Sequence, residues 1–221
     1  MAGASRVVPA ILTDDPEKLE ALVRKAESFT GFFQLDIMDG EFVPSRSIGV
    51  EDLAALPAKL DWEVHLMVLR PEDYLEDFLK AGAQKAVFHF EATPAPADVV
   101  ARARGLGLGV GLAVNPETPV SAFLSLVDSV DSVLFLAVNP GYYGSPFIPE
   151  VLDKAVELHR VRPNIEIGID GGIKEGNVAQ VAELGIDVIY VGSAVMLQPD
   201  PGEAYRRLQA LADEGSRRRS V

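Results

Sequence analysis

Cysteine is absent from the 221 residues of the chain, which excludes disulfide bonds, thiolate catalysis and cysteine-ligated metal sites. Basic residues are scarce, with 20 Lys and Arg against 33 Asp and Glu and a formal charge of −13. A surface this acidic repels phosphate backbones and anionic lipids, so we expect neither a nucleic-acid nor a membrane partner. The N-terminal residues lack a signal-peptide pattern and no apolar run reaches about 18 residues, so we expect a cytoplasmic protein.

Short apolar runs alternate with longer amphipathic segments along the chain. The eight runs cover residues 6–12, 32–37, 62–67, 85–90, 109–114, 132–138, 165–169 and 187–191. The segments between and after them predict helices at 16–28, 50–57, 71–80, 95–105, 119–127, 148–161, 174–183 and 202–213. Strands separated by helices of this length pair in parallel, and eight such units in a chain of this size fit a closed barrel.

We therefore predict an α/β fold, a single (β/α)8 TIM barrel over residues 1–215, followed by a disordered basic tail over residues 216–221. A doubly wound open sheet is the alternative, but no Gly-x-Gly-x-x-Gly motif follows the first strand. In a β/α barrel the active site lies at the carboxyl ends of the strands, so the polar residues at those ends are the candidates for function.

Three ionisable residues stand at the ends of predicted strands. Because side chains alternate along a strand, Gln34 and Asp36 share one face of the second strand, while His65 lies in the third and Asp170 ends the seventh. Taken singly, each aspartate is explained by a helix cap and His65 by a partly buried structural role. Together on one rim they would be uncompensated buried charges, and a divalent cation held by Asp36, His65 and Asp170 would remove that cost.

Glycine-containing loops follow the last three predicted strands, at residues 138–144, 170–172 and 192–194. Glycine lets the backbone approach a ligand closely and direct its N–H groups toward an anion. The loops after strands seven and eight are a common phosphate site in this barrel, so the pattern favours a phosphorylated ligand over simple turn geometry. The candidate binding residues in these loops are Gly141, Gly144, Gly171, Gly172, Gly192 and Ser193.

Five motifs in this order and spacing resemble the ribulose-phosphate 3-epimerases, and the resemblance covers essentially the whole chain. They are LDIMDGEFVP at 35–44, VHLM at 64–67, VNPG at 138–141, IDGGI at 169–173 and GSA at 192–194. The resemblance implies epimerisation at carbon 3 of a phosphorylated 2-ketose, D-ribulose 5-phosphate to D-xylulose 5-phosphate, through an enediolate. It also implies a homo-oligomer that binds a small phosphorylated sugar.

The resemblance further implies a role for each candidate residue. Asp36 and Asp170 would form the acid/base pair, one on each face of the substrate, because a single carboxylate cannot reach both faces. Asp36, His65 and Asp170 would hold a divalent cation (Zn, Fe(II), Mn or Mg) that stabilises the enediolate. The loop glycines and Ser193 would bind the phosphate, His65 would also contact the substrate, and Met38 and Met67 would form an apolar surface beneath the reacting carbons.

The chain departs from the family's pattern at several positions near this site. The family's histidine two residues before the first aspartate is Gln34, whose amide oxygen is a weaker zinc ligand than imidazole, so we expect it to be a weak or absent ligand. The other departures are Ala10, Ser45, Leu136, Ala137, Tyr143 and Ser145. A ketohexose-phosphate 3-epimerase, a non-catalytic sugar-phosphate-binding paralogue and another barrel enzyme acting on a phosphorylated ligand therefore stay open as alternatives.

Overall fold

Eight parallel strands form a closed barrel in chain order in the computed structural model, which describes residues 4–53, 59–140 and 145–219. The strands are β1 Arg6–Ile11, β2 Phe32–Met38, β3 Asp61–Met67, β4 Lys85–His89, β5 Gly109–Val114, β6 Ser132–Leu136, β7 Glu166–Asp170 and β8 Val188–Val191. Each pairs with the next, and β8 closes the ring against β1. The predicted (β/α)8 barrel is confirmed, with every strand within one or two residues of its predicted ends.

Helices cover the outside of this barrel. They are α1 Pro16–Glu27, α2 Leu75–Lys80, α3 Pro96–Gly105, α4 Val120–Phe123, α5 Val151–Val161, α6 Val178–Glu183, α7 Ser193–Met196 and α8 Pro201–Arg219. Short 3-10 turns lie at Val50–Leu53, Pro71–Asp73, Phe90–Ala92 and Leu124–Ser129. No helix among the residues described is both long enough and apolar enough to cross a bilayer.

Several predicted helices differ from the observed ones. Those expected at 71–80 and 119–127 are each divided between a helix and a 3-10 turn, and that expected at 148–161 begins at Val151. The helix expected at 174–183 begins at Val178, because the Asn177 side chain accepts a hydrogen bond from the Lys174 N–H and closes a turn there. The helix expected at 50–57 is a 3-10 turn over Val50–Leu53, and residues 54–57 lie outside the described ranges. By contrast α1 starts as predicted, with Asp15 accepting from the Glu17 N–H before it.

The barrel interior is filled by inward-facing side chains in the middle of the strands. Val8, Val87, Ala113, Leu134, Val188 and Tyr190 form an apolar cluster there that is separate from the main core between strands and helices. Gly168 makes room for it, since a Cβ at this position would lie 3.0 Å from both Leu134 and Tyr190. This apolar layer separates the two ends of the barrel.

The basic segment at 216–219 is not the disordered tail that the sequence predicts but the last turn of α8. Tertiary contacts hold it in place. The Ser216 hydroxyl accepts a hydrogen bond from the Ser5 N–H, and a guanidinium nitrogen of Arg219 lies 3.0 Å from His159 Nε2. Just before this turn, Gly215 lets α8 approach α6 so closely that a Cβ would lie 2.0 Å from the Ala179 carbonyl oxygen.

We expect Gly215→Ala to lower the free energy of unfolding by about 1–3 kcal/mol, because the added methyl group overpacks the contact between α8 and α6. This outcome opposes helix propensity, which favours alanine by about 1 kcal/mol. Gly105→Ala is the matched control, since Gly105 ends α3 with open space around it. Urea unfolding measures both, and a Gly215→Ala protein as stable as the wild type would contradict the close packing.

Candidate active site

The predicted site residues come together inside the carboxyl end of the barrel. Asp36 and His65 are direct neighbours in the register of β2 and β3, and Asp170 ends β7. All three are buried, with relative exposures of 7%, 0% and 9%. Because successive side chains of a strand point to opposite faces, these three point into the barrel, as the sequence predicts.

The three side chains lie within contact distance of one another. His65 Nδ1 is 3.1 Å from Asp36 Oδ1 and 3.6 Å from Asp170 Oδ2. One ligand atom from each residue can be chosen so that all three lie within 4.8 Å of one another. Two carboxylate oxygens and an imidazole nitrogen at this spacing fit a divalent cation about 2.0–2.2 Å from each atom. The described residues therefore suit the cation that the sequence predicts.

Gln34 is fully buried beside them, but its amide nitrogen, not its oxygen, faces the carboxylates. Nε2 donates to Asp36 Oδ1 and to Asp170 Oδ2, both at 2.9 Å. Oε1 is buried without a hydrogen-bond partner among the residues described. The reverse orientation would press the amide oxygen against two carboxylates. In this arrangement Gln34 bridges the aspartates as a donor and offers no ligand atom to a cation between them.

The charges of this cluster shift the protonation of its members. Burial alone would lower the pKa of His65, but hydrogen bonds to Asp170 and Asp36 and their negative charges raise it to about 9. Burial raises the pKa of Asp36 to about 6, with the Asp170 charge adding to this and the hydrogen bond from His65 opposing it. At neutral pH and without a cation, a protonated imidazole therefore lies between the two carboxyl groups.

A cavity opens above the cluster and connects it to the glycine loops. Asp36, His65 and Asp170 line its inner end with Met38 and Met67, and Gly171, Gly172, Gly192 and Ser193 line its outer part. The two methionines pack with Val43 in a small apolar cluster. The structure thus brings together the predicted residues of β2, β3, β7 and β8, whereas Gly141, Gly144 and Tyr143 fall outside the described ranges.

The loop glycines are also required by packing, which is the simpler explanation that the sequence left open. Gly171 and Gly172 have φ values of +99° and +70°. A Cβ on Gly172 would lie 2.8 Å from the Phe147 backbone, and one on Gly171 would lie 2.5 Å from Val138. These glycines therefore shape the loop whether or not they bind an anion.

The departures from the family's pattern fall in different parts of the site. Ala10 and Leu136 line the cavity as apolar groups, and Ser145 lines it as a polar one. Ala137 is buried outside the cavity lining, in the main core. Ser45 is half-buried and is not among the residues that line the cavity. Ala10 and Leu136 therefore make the wall contributed by β1 and β6 apolar.

Two ionisable residues next to the site were missed by the sequence analysis. His89 ends β4 fully buried, with Nε2 3.0 Å from His65 Nε2, and Glu91 follows two residues later. Burial lowers the pKa of His89 to about 4. Burial would raise the pKa of Glu91, but the nearby His89 ring and hydrogen bonds from the Thr118 hydroxyl and the Asn115 N–H lower it. The sequence does contain a signal for these residues, because side chains alternate along a strand and His89 and Glu91, two positions apart, would share one face. The apolar character of the run 85–90 obscures it.

A cationic side chain, Lys174, also lines the outer part of the cavity beside Gly172 and Ser193. It is exposed and directly follows the IDGGI motif. The glycine pattern of the loops predicts the phosphate site from backbone groups and Ser193 and does not indicate this lysine. Its position adds a positive charge at the end of the cavity that lies away from the aspartates.

Comparison with known proteins agrees with this geometry. The family model described as "Ribulose-phosphate 3 epimerase family" matches residues 6–196. The ribulose-phosphate 3-epimerase of Mycobacterium bovis is 35% identical, over 97% of this chain and 96% of its own. That of Synechocystis is 38% identical, over 90% of each chain. In fold, the chain resembles KGPDC from Streptococcus mutans, with a TM-score of 0.75, 9% identity and 94% and 97% of the two chains covered.

The sequence relatives and the family model extend over nearly all of the barrel, and the five motifs lie within the matched residues. The resemblance that the motifs predicted is therefore confirmed: this chain belongs to the ribulose-phosphate 3-epimerase family of isomerases.

Proposed function

We propose that the protein is an epimerase that inverts carbon 3 of a phosphorylated 2-ketose, with D-ribulose 5-phosphate as the substrate. The observation that carries this proposal is the pair of buried carboxylates from β2 and β7 that face one cavity. Inversion requires a base on one face of the carbon and an acid on the other, and Asp36 and Asp170 supply two such groups.

The hydrogen bonds within the site indicate which oxygens take part. Gln34 and His65 both contact Oδ1 of Asp36 and Oδ2 of Asp170. We therefore assign proton transfer to the remaining oxygens, Oδ2 of Asp36 and Oδ1 of Asp170. In one direction an ionised carboxylate takes the carbon 3 proton while the other carboxyl group, protonated, returns one to the opposite face. The raised pKa of Asp36 suits this exchange of roles near neutral pH.

The enediolate formed between the two proton transfers needs positive charge near its oxygens. A divalent cation held by Asp36, His65 and Asp170 would supply that charge when bound. Of the chain's own groups, the His65 ring and the Gln34 amide are the buried donors beside the reacting carboxylates. Met38 and Met67 add an apolar surface next to them, which favours a planar intermediate over a hydrated one.

The outer part of the cavity supports a phosphorylated substrate. Gly171, Gly172, Gly192 and Ser193 leave backbone groups accessible there, and Lys174 adds a cation. In a chain with a formal charge of −13, a local site of this kind is needed to attract an anionic sugar. Assembly into a homo-oligomer stays a prediction that a sedimentation experiment can test.

Asp36→Asn and Asp170→Asn should each lower the rate of carbon 3 epimerisation at least about 100-fold, because a general acid/base step contributes on that scale. NMR in deuterium oxide, over a panel of pentulose and hexulose phosphates, measures both inversion and solvent exchange at carbon 3. Glu63→Gln is the control, since Glu63 is an equally buried carboxylate on the far side of the apolar layer. Wild-type exchange in either aspartate variant would contradict the assigned roles, and no exchange in the wild type would contradict the proposed reaction.

Gln34→His should raise the affinity for Zn²⁺ about 10–100-fold, because imidazole adds a ligand where the amide presents a nitrogen. Gln34→Leu should bind Zn²⁺ at least as tightly as the wild type, since it removes a donor that competes for the same carboxylate oxygens. Calorimetric titration with a competing chelator measures all three proteins at one pH. Weaker binding by Gln34→Leu would show that the amide oxygen is a ligand and that the bridging orientation is lost when the cation binds.

A further inference from the structure

Two buried imidazoles face each other below the aspartates, and only one of the facing nitrogens can carry a proton. His65 Nε2 and His89 Nε2 are 3.0 Å apart, and both rings are fully buried. The rings are nearly parallel, with centroids 5.1 Å apart, and Phe42 packs against His89 at 4.9 Å. The contact is therefore a hydrogen bond with a definite direction, set by the groups at its two ends.

The far end of this pair is a carboxylate. His89 Nδ1 lies 3.5 Å from Glu91 Oε2, and neither atom has a hydrogen-bond partner with good geometry among the described residues. An ionised carboxylate can only accept, and a lone pair on Nδ1 facing it would be repelled, so the favoured tautomer of His89 carries its proton on Nδ1 and presents the lone pair of Nε2 to His65. His65 must then donate from Nε2 to His89.

Glu91 is itself held in place by the loop that follows β5. Its Oε1 accepts hydrogen bonds from the Asn115 N–H, at 2.9 Å, and from the Thr118 hydroxyl. Lys154 of α5 fixes the same loop, because its Nζ donates to the carbonyl oxygens of Asn115, Pro116 and Thr118. The carboxylate that faces His89 is thus anchored by the loop after β5, which Lys154 of α5 holds in turn.

We propose that His89 is a positioning residue for His65, and that Glu91 favours the tautomer of His89 that carries its proton on Nδ1. The chain Glu91–His89–His65 keeps a proton on His65 Nε2 and directs Nδ1 at Asp36 and Asp170. Nδ1 is then the nitrogen that exchanges its proton for a cation or donates it to the site, while Nε2 stays occupied in both states. A fixed ring is needed because the two carboxylates approach Nδ1 from different strands, at 3.1 and 3.6 Å.

Histidine ¹⁵N NMR tests the direction of this chain without reference to activity. The protein has three histidines, and His159→Gln identifies the one outside the site, so two ring systems remain to be assigned. Long-range ¹H–¹⁵N correlations should show His89 protonated at Nδ1 and His65 protonated at Nε2. In the cation-free protein above about pH 9, where His65 is neutral and either direction of the hydrogen bond is possible, Glu91→Leu should abolish this preference. A proton on His89 Nε2 in the wild type, or an unchanged His89 tautomer in Glu91→Leu under these conditions, would overturn the proposal.

Kinetics and cation binding test the positioning role, and this part rests on the proposed function. His89→Leu should lower kcat or the Zn²⁺ affinity about 10–100-fold with little change in KM, since a supporting residue of a ligand contributes on that scale. His89→Gln should restore most of the loss, because its amide oxygen can reach the position of Nε2 and accept from His65. An equal loss in both variants, or none in His89→Leu, would overturn the positioning role. If the wild type lacks epimerase activity, the NMR result and the Zn²⁺ titrations still decide the proposal.

Discussion

Two carboxyl groups buried against the same pair of donors are the constraint on which the rest of this site depends. Asp36 and Asp170 come from strands two and seven, and Gln34 Nε2 reaches both at 2.9 Å. An oxygen of Asp36 and one of Asp170 lie within 4.8 Å of each other. Two negative charges this close repel strongly in a medium of low dielectric, and their removal from water adds a further penalty. The described groups around them compensate for this: the Gln34 amide donates to both, the pKa of His65 is raised to about 9, and the pKa of Asp36 is raised to about 6.

This compensation explains why Gln34 is more than a lost ligand. The amide N–H₂ stabilises the two carboxylates by hydrogen bonds from one side, whereas a divalent cation would neutralise their charge. The two use the same carboxylate oxygens, so they compete for one place in the site. The affinity for a cation therefore depends on the free-energy difference between the site bridged by Gln34 and the site that holds a cation, and not on the number of ligands alone.

Much of this arrangement follows from the sequence because it depends on local periodicity. Period-2 alternation and strand ends place Asp36, His65 and Asp170 on one rim, and the apolar runs locate every strand. What the sequence could not predict depends on contacts between distant segments. The orientation of the Gln34 amide requires Asp170, which is 136 residues away, and the ordered end of α8 depends on Gly215 meeting Ala179. The role of His89 required knowing that β3 and β4 put two imidazoles face to face.

The apolar layer in the middle of the barrel explains why the charges of the site must be balanced locally. At the other end, Lys85 Nζ lies 3.1 Å from Glu63 Oε2 and 3.6 Å from Glu166 Oε1, so this positive charge is already paired. Val8, Val87 and Leu134 stand between that group and the aspartates and exclude water from the axis. Neither solvent nor Lys85 can then neutralise Asp36 and Asp170 from below. The compensation has to come from the side, as the charge of His65 and the hydrogen bonds of Gln34, or from above, through the cavity that the substrate enters.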